Sequence, residues 1–203
     1  KPFARYWVHN GLLTVGGEKM SKSLGNFVTV DEALQACHGE PDLVKMFFLS
    51  AHYRHPIDYT PANLHAATQR FDALDSFRVR MMAEKIEVRT PKRPLAQELV
   101  DLEQGFEKAM DDDLHTPNAL AVLDQLVNRG NQWARVLSTS QPLPTSDMAS
   151  WDADRIKTGQ AMQILSKLGR VLGLFNEDAV GLTPEQEGLL QEREEARKRK
   201  EFH

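Results

Sequence analysis

The sequence predicts a mainly α protein in two parts: the closing edge of an α/β domain, then an antiparallel bundle of long helices. Three observations predict it. Apolar residues recur at the helical period in several long stretches after residue 60. The β-like run Leu12-Leu13-Thr14-Val15 lies near the start and is closed by the turn signal Gly16-Gly17. Between them stands a loop of glycines, lysines and serines, Gly17 to Asn26. The division is expected near residue 60, with 1–60 carrying the loop and its junction and 61–203 forming the bundle.

In chain order, Phe3 to His9 has aromatic and small residues at helix-like spacing and predicts the tail of a helix. It begins without an initiating methionine or a cap, which predicts a piece of something longer. After the lysine loop, Thr29-Val30-Asp31-Glu32 has the spacing of a capping box, with Thr29 as N-cap. It opens a short helix to about His38, stopped by Gly39. Pro41 sits at the first position of the next helix, where its missing N–H costs nothing. Leu43, Phe47 and Phe48 are expected on its apolar face, with Val44 and Met46 flanking. Ala51 to Tyr59 is a connector with room for a short strand at Ile57 to Tyr59.

Thr60-Pro61 starts a long helix to about Lys85, with Ala67, Phe71, Leu74 and Phe77 on one stripe. Val88 to Pro94 is a basic, proline-containing linker. Leu95, Leu99, Leu102 and Phe106 mark a further helix, which Asp111-Asp112-Asp113 ends. Thr116 is expected to cap the next, carrying Leu120, Leu123, Val127 and Trp133 to about Leu137. Ser138 to Ser150 is a polar loop. Trp151 to Leu174 is helical through Ile156, Met162, Leu165, Leu168 and Leu172, although Gly169 and Gly173 lower its intrinsic helicity. Thr183-Pro184 opens a last, heavily charged helix.

The totals bound the function. The chain has 203 residues, 41% hydrophobic and 27% charged, as in ordinary globular proteins. No apolar run has the length of a membrane span, and no apolar signal core follows Lys1. The single Cys37 has no partner for an internal disulfide, which fits a reducing, cytoplasmic setting. It lies in an apolar helical pattern and reads as a small core residue. A net charge of −4 argues against indiscriminate coating of nucleic acid, while leaving room for a local basic stripe.

The chemistry-bearing stretch is Gly17-Glu18-Lys19-Met20-Ser21-Lys22-Ser23-Leu24-Gly25-Asn26. Lys19 and Lys22 stand three apart, alternating with the small hydroxyls Ser21 and Ser23. Such a loop is able to place two ammonium groups around one polyphosphate, each a compact point charge with three donors. Composition alone favours a solvated turn. Lys19-Met20-Ser21-Lys22-Ser23, however, resembles the KMSKS motif of class I aminoacyl-tRNA synthetases. Tyr6-Trp7-Val8-His9-Asn10-Gly11 upstream, Leu24-Gly25-Asn26-Phe27 after it and Ala109 to Pro117 downstream resemble segments of cysteinyl-tRNA synthetases, so the resemblance runs over nearly the whole chain.

The resemblance implies the C-terminal edge of a Rossmann-type catalytic domain followed by a helical tRNA-contact domain. It implies ATP-dependent activation of cysteine, with magnesium, and transfer to tRNA-Cys in the complete enzyme. Carried over, Lys22 contacts ATP and stabilises the pentavalent phosphate and departing pyrophosphate, and Lys19 assists. Met20, Ser21 and Ser23 complete the ATP-contacting set. The family's zinc, which selects cysteine, has its ligands upstream; none is expected here, and His52 and His55 read as junction histidines. The H-I-G-H motif is absent from the chain, so the chain alone is expected not to activate cysteine. Arg54, Arg70, Arg78 and Arg80, with Lys92 and Arg93, are the expected tRNA-phosphate contacts. Trp7, Trp133 and Trp151 read as core or interface. Two other readings remain: a cysteine ligase of mycothiol synthesis, and a non-catalytic RNA- or protein-binding module.

Overall fold

The structure is a computed structural model that describes residues 3–83, 94–137 and 148–175, with the backbone alone for 136–137 and 148–151. Its elements in order are β1 (Leu13–Val15), β2 (Glu18–Lys19), α1 (Val30–Ala36), α2 (Pro41–Leu49), β3 (Ile57–Asp58), α3 (Pro61–Ala83), α4 (Gln97–Asp111), α5 (Thr116–Leu137) and α6 (Met148–Val171). The fold is mainly helical, as the apolar periodicity requires. Among the described residues no helix is long and apolar enough to cross a membrane.

The three strands form one small sheet in the order β2-β1-β3. β1 and β2 are an antiparallel hairpin, with Thr14 opposite Lys19 and Val15 opposite Glu18. Gly16 and Gly17 connect them at φ of 62° and 82°. Two successive left-handed residues make the turn that matches strand twist, and glycine enters that region without steric cost. β3 pairs parallel to β1, with Leu13 beside Ile57. The chain between them makes the crossover that parallel strands need, and α1 and α2 lie in it.

Local rules account for the helix starts. Thr29 Oγ1 accepts from the Glu32 N–H while the Glu32 carboxylate accepts from the Thr29 N–H, a complete capping box. α1 ends where His38 turns left-handed and the Gly39 N–H reaches back to the Leu34 carbonyl. Pro41 is the first residue of α2, and Thr60 Oγ1 accepts from the Asn63 N–H at the start of α3. At α5 the cap is not the expected one. The His115 Nδ1 accepts from the Asn118 N–H, whereas Thr116 turns its hydroxyl to the Ala51 carbonyl.

One hydrophobic core runs from α2 through the bundle. It joins Leu43, Met46 and Phe47 to Leu74, Phe77 and Met81 of α3, Leu99 and Phe106 of α4, Leu120, Leu123 and Leu126 of α5, and Leu165 and Leu168 of α6. Ala67, Phe71, Leu74 and Phe77 are buried along the expected stripe of α3. On α2 the face is rotated: Met46 is fully buried and Phe48 stands 49% exposed. Cys37 is buried in the same core, which pushes its thiol pKa up.

Gly169 has a use that its helix propensity hides. The Phe175 ring lies where a β-carbon on Gly169 would stand, 2.4 Å from that position. The chain folds back there because Gly173 turns left-handed, with the Leu174 N–H on the Gly169 carbonyl and the Gly173 N–H on that of Arg170. A carboxylate then fixes the returning segment. Asp42 of α2 accepts from the Phe175 N–H at 2.7 Å and from Lys45 Nζ at 2.6 Å, and the same ammonium donates to the Gly173 carbonyl. The start of α2 and the end of α6 are thereby tied by hydrogen bonds as well as packing.

Residues 3–10 are not helical. Phe3 is 96% and Trp7 67% exposed, so the segment has no face to bury among the described residues, and burial is what holds a short helix together. Trp7 therefore lies outside the core, its ring 6.2 Å from that of Phe3. Trp133 is part-buried under Lys157, with Nζ 5.7 Å from the ring centroid. The basic linker, most of the polar loop after Leu137, the Trp151 side chain and the last charged helix lie outside the described residues.

Candidate active site

The lysine loop is the β1–β2 hairpin and its continuation. The turn is held from outside by Asp58 on β3, whose carboxylate accepts from Thr14 Oγ1 at 2.7 Å and from the Gly17 N–H at 3.0 Å. Those two bonds hold the Asp58 carboxyl below the usual carboxylate pKa, the backbone donor at Gly17 contributing most. Strand pairing therefore fixes Lys19, the last residue of β2, relative to the sheet.

Beyond Lys19 the chain leaves the sheet. The Met20 N–H still donates to the Leu13 carbonyl, at 3.1 Å. Its side chain turns inward and its Sδ accepts from the Val28 N–H at 3.4 Å. Met20 and Phe27 line an apolar groove of about 400 Å³ beneath the loop, with Val44, Phe47 and Tyr59 on its other walls. Ser21 is the N-cap of a single 3-10 turn, Lys22–Leu24. Its hydroxyl accepts from the Leu24 N–H and lies 3.2 Å from the Ser23 hydroxyl. Gly25 closes the turn at φ 69°, its N–H on the Lys22 carbonyl. Lys22 Nζ stands 5.4 Å from the centroid of the Phe27 ring.

Both lysines are exposed, and among the described residues neither has a carboxylate within ion-pair distance. Lys19, Lys22, Ser21 and Ser23 thus gather two ammonium groups and two hydroxyls on one short loop. Met20 differs from the other four: it is the apolar anchor under the loop, not a polar contact facing out of it.

The expected tRNA-contacting arginines are placed otherwise. Arg54 holds Asp113 through Nε and a second nitrogen, at 2.5 and 3.1 Å, and Tyr53 donates to the same carboxylate. That clamp holds the Asp113 carboxyl far below its ordinary range, the Arg54 hydrogen bonds first among the causes. Arg70 meets Asp124 of α5 at 2.5 Å. Arg78 meets Asp75, its side chain only 13% exposed, with its guanidinium over the Phe175 ring. Arg80 donates to Asn131. Lys92 and Arg93 lie outside the described residues. A phosphate arriving at Arg54, Arg70 or Arg78 competes with a carboxylate already bound.

His52 packs between Tyr53, His55 and His115, with ring centroids 4.9 to 5.5 Å away. Among the described residues no group of three or more His, Cys, Asp or Glu is arranged to hold a metal ion.

Reasoning from the sequence missed two residues of the loop's framework. Asp58 gave no local signal, since it acts on a turn 41 residues away. Asn26 closes the same stretch, and nothing in the spacing shows that its carboxamide reaches back to Ser21 and Lys19.

Residues 1–69 match the family described as tRNA synthetases class I (C) catalytic domain, and residues 105–176 match the DALR domain. Over these two stretches the chain is similar to class I tRNA synthetases. More narrowly, its curated relatives carry the name cysteine–tRNA ligase. The ligase of Bacillus cytotoxicus is 35% identical over 206 residues, covering 100% of this chain and 41% of the relative. That of Geobacter sulfurreducens is 36% identical over 221 residues, covering 100% and 43%. That of Gloeothece citriformis is 37% identical over 213 residues, covering 100% and 42%. The chain spans about two fifths of the length of these relatives.

Proposed function

We propose that this chain supplies the phosphate-handling loop and the helical tRNA-side domain of a cysteine–tRNA ligase. The reaction joins cysteine to ATP, releasing pyrophosphate, and passes the cysteinyl group to the 3′ end of tRNA-Cys. The observation that carries the reading is the pair of ammonium groups, Lys19 and Lys22, held without carboxylate partners on a loop of defined shape. Attack at the α-phosphate turns a bridging oxygen into part of a leaving polyanion. An ammonium already in place stabilises that charge more than it stabilises bound ATP, so it lowers the barrier and does not merely hold the substrate.

In this reading Lys22 serves the α-phosphate and pyrophosphate, and Lys19 neutralises charge from the sheet side. Ser21 and Ser23 shape the turn, and Met20 anchors it. Magnesium, when bound with ATP, supplies further neutralising charge. Lys19, Lys22 and Ser23 are exposed, which suits a segment that closes over ATP. The helices after residue 60 provide the surface along the tRNA. The long bundle and the DALR match favour this reading over a cysteine ligase that has no tRNA to bind.

The test is Lys22→Ala in the full-length enzyme that contains this chain. Cysteine-dependent ATP–pyrophosphate exchange is expected to fall by about 10²- to 10³-fold, the usual cost of one transition-state donor. Affinity for tRNA-Cys should stay within about twofold, since the loop's ammonium is assigned to ATP. Equal losses in both measurements would overturn the assignment.

A further inference from the structure

We propose that Asn26 is the positioning residue that sets Lys22 for catalysis, an inference that rests on the function proposed above. Its carboxamide spans the motif. Oδ1 accepts from the Ser21 N–H at 2.8 Å, and Nδ2 donates to the Lys19 carbonyl at 3.2 Å. One side chain therefore ties the backbone on both sides of Met20 and closes the loop from residue 19 to residue 26. Only one orientation of the amide serves both groups, because the flipped form would set its NH2 against an N–H and its oxygen against a carbonyl.

The consequence for Lys22 is geometric. Strand pairing controls the backbone only as far as Lys19, and the Met20 N–H is the last to reach β1. Ser21 is the residue on which the 3-10 turn begins, and its own N–H is held by Asn26. The other backbone tie to Lys22 is local, the Gly25 N–H on its carbonyl at 3.3 Å. Asn26 is thus the link through which the position of the sheet reaches the turn that carries Lys22. Met20 fixes the opposite side of the same segment in the apolar groove, so the loop is held by one polar and one apolar anchor. Alanine at 26 leaves the Ser21 N–H and the Lys19 carbonyl to water and the turn free to shift. A displacement of about 1 Å is enough to cost about 10²-fold where a charge must meet a transition state.

The experiment is a double-mutant cycle on the full-length enzyme, using Asn26→Ala, Lys22→Ala and the pair, read by cysteine-dependent ATP–pyrophosphate exchange. Asn26→Ala is expected to lower kcat by about 10- to 100-fold with a much smaller change in KM for ATP. In the Lys22→Ala background the same change should cost less than about threefold, because a positioning residue has nothing left to position. Unchanged tRNA-Cys affinity and thermal midpoint show that the variant folds. Additive losses, or an Asn26→Ala enzyme with normal kcat, overturn the inference while leaving the function intact. Loss of tRNA binding together with exchange also overturns it, as the lesion is then global. A Lys22→Ala enzyme with normal exchange sinks the proposed function and this inference with it.

Discussion

Lys19 and Lys22 stand on their loop without an ion-pair partner among the described residues, whereas Arg54, Arg70 and Arg78 each hold a carboxylate supplied by the fold. The two regions spend positive charge differently. Away from the loop a guanidinium fork joins segments distant in sequence: Arg54 to Asp113, Arg70 to Asp124. In the loop the two ammonium groups meet no carboxylate among the described residues. A fixed ion pair is a poor ligand for an incoming phosphate, because its carboxylate must first be displaced. An unpaired ammonium on a backbone of set shape has no such competitor. The difference teaches that counting basic residues along the chain does not find the site; the partners of each one do.

The sharpest way to break the comparison is to remove one cation from each region of the full-length enzyme. Lys22→Ala should cost about 10²- to 10³-fold in adenylate formation, and Arg70→Gln should leave that rate within about twofold. Arg70→Gln should instead lower stability by about 1 kcal/mol, since the pair with Asp124 is only half-buried. If both changes slow the chemistry alike, the contrast fails.

Next in size is the tie between the halves. Asp42→Ala removes the acceptor of the Phe175 N–H and of Lys45, leaving a buried N–H unsatisfied. The expected loss is about 2 kcal/mol, read by urea or thermal unfolding. Asp42→Asn keeps an acceptor and should lose less. A smaller effect is expected at the entrance to α1. Thr29→Ala removes the side chain that accepts the Glu32 N–H and should destabilise by about 1 kcal/mol, with no change in adenylate formation once the protein is folded.

The smallest effect concerns pH. The Asp58 carboxyl has its folded pKa lowered by the Gly17 N–H and the Thr14 hydroxyl. A depressed carboxylate contributes stability that is present above its unfolded pKa and lost as pH falls through its folded pKa. Below the ordinary carboxylate range the hairpin turn should loosen, and amide exchange at Gly17 should show lower protection than at pH 7. Asp58→Asn should remove that pH dependence. Unchanged protection at low pH would mean that strand pairing alone holds the turn.

Much of the architecture was legible in the chain, and particular residues show why. The Thr29–Glu32 box, the Gly16-Gly17 turn, Pro41 at the head of α2 and the stripe from Ala67 to Phe77 depend on neighbours within about four residues, so composition and spacing are enough. The same locality explains the misses. Thr116 looked like a cap, but a serviceable His115 beside it and an acceptor at Ala51 drew its hydroxyl elsewhere. Phe48 read as apolar face until the packing of α2 turned Met46 inward instead. Gly169 read as a weakness, and only the returning Phe175 ring shows what its missing β-carbon makes room for.

The sequence by itself determined where the helices after residue 29 lie among the described residues, where the motif lies and which side chains bring charge to it. The tertiary structure decided which of those charges are already spent. Pairs such as Arg70 with Asp124, Asp42 with the Phe175 N–H, and Asp58 with the Gly17 N–H join residues 41 to 133 positions apart. No local propensity encodes them, because a hydrogen bond is set by distance in space, and that distance exists only after the apolar faces of the helices have found one another.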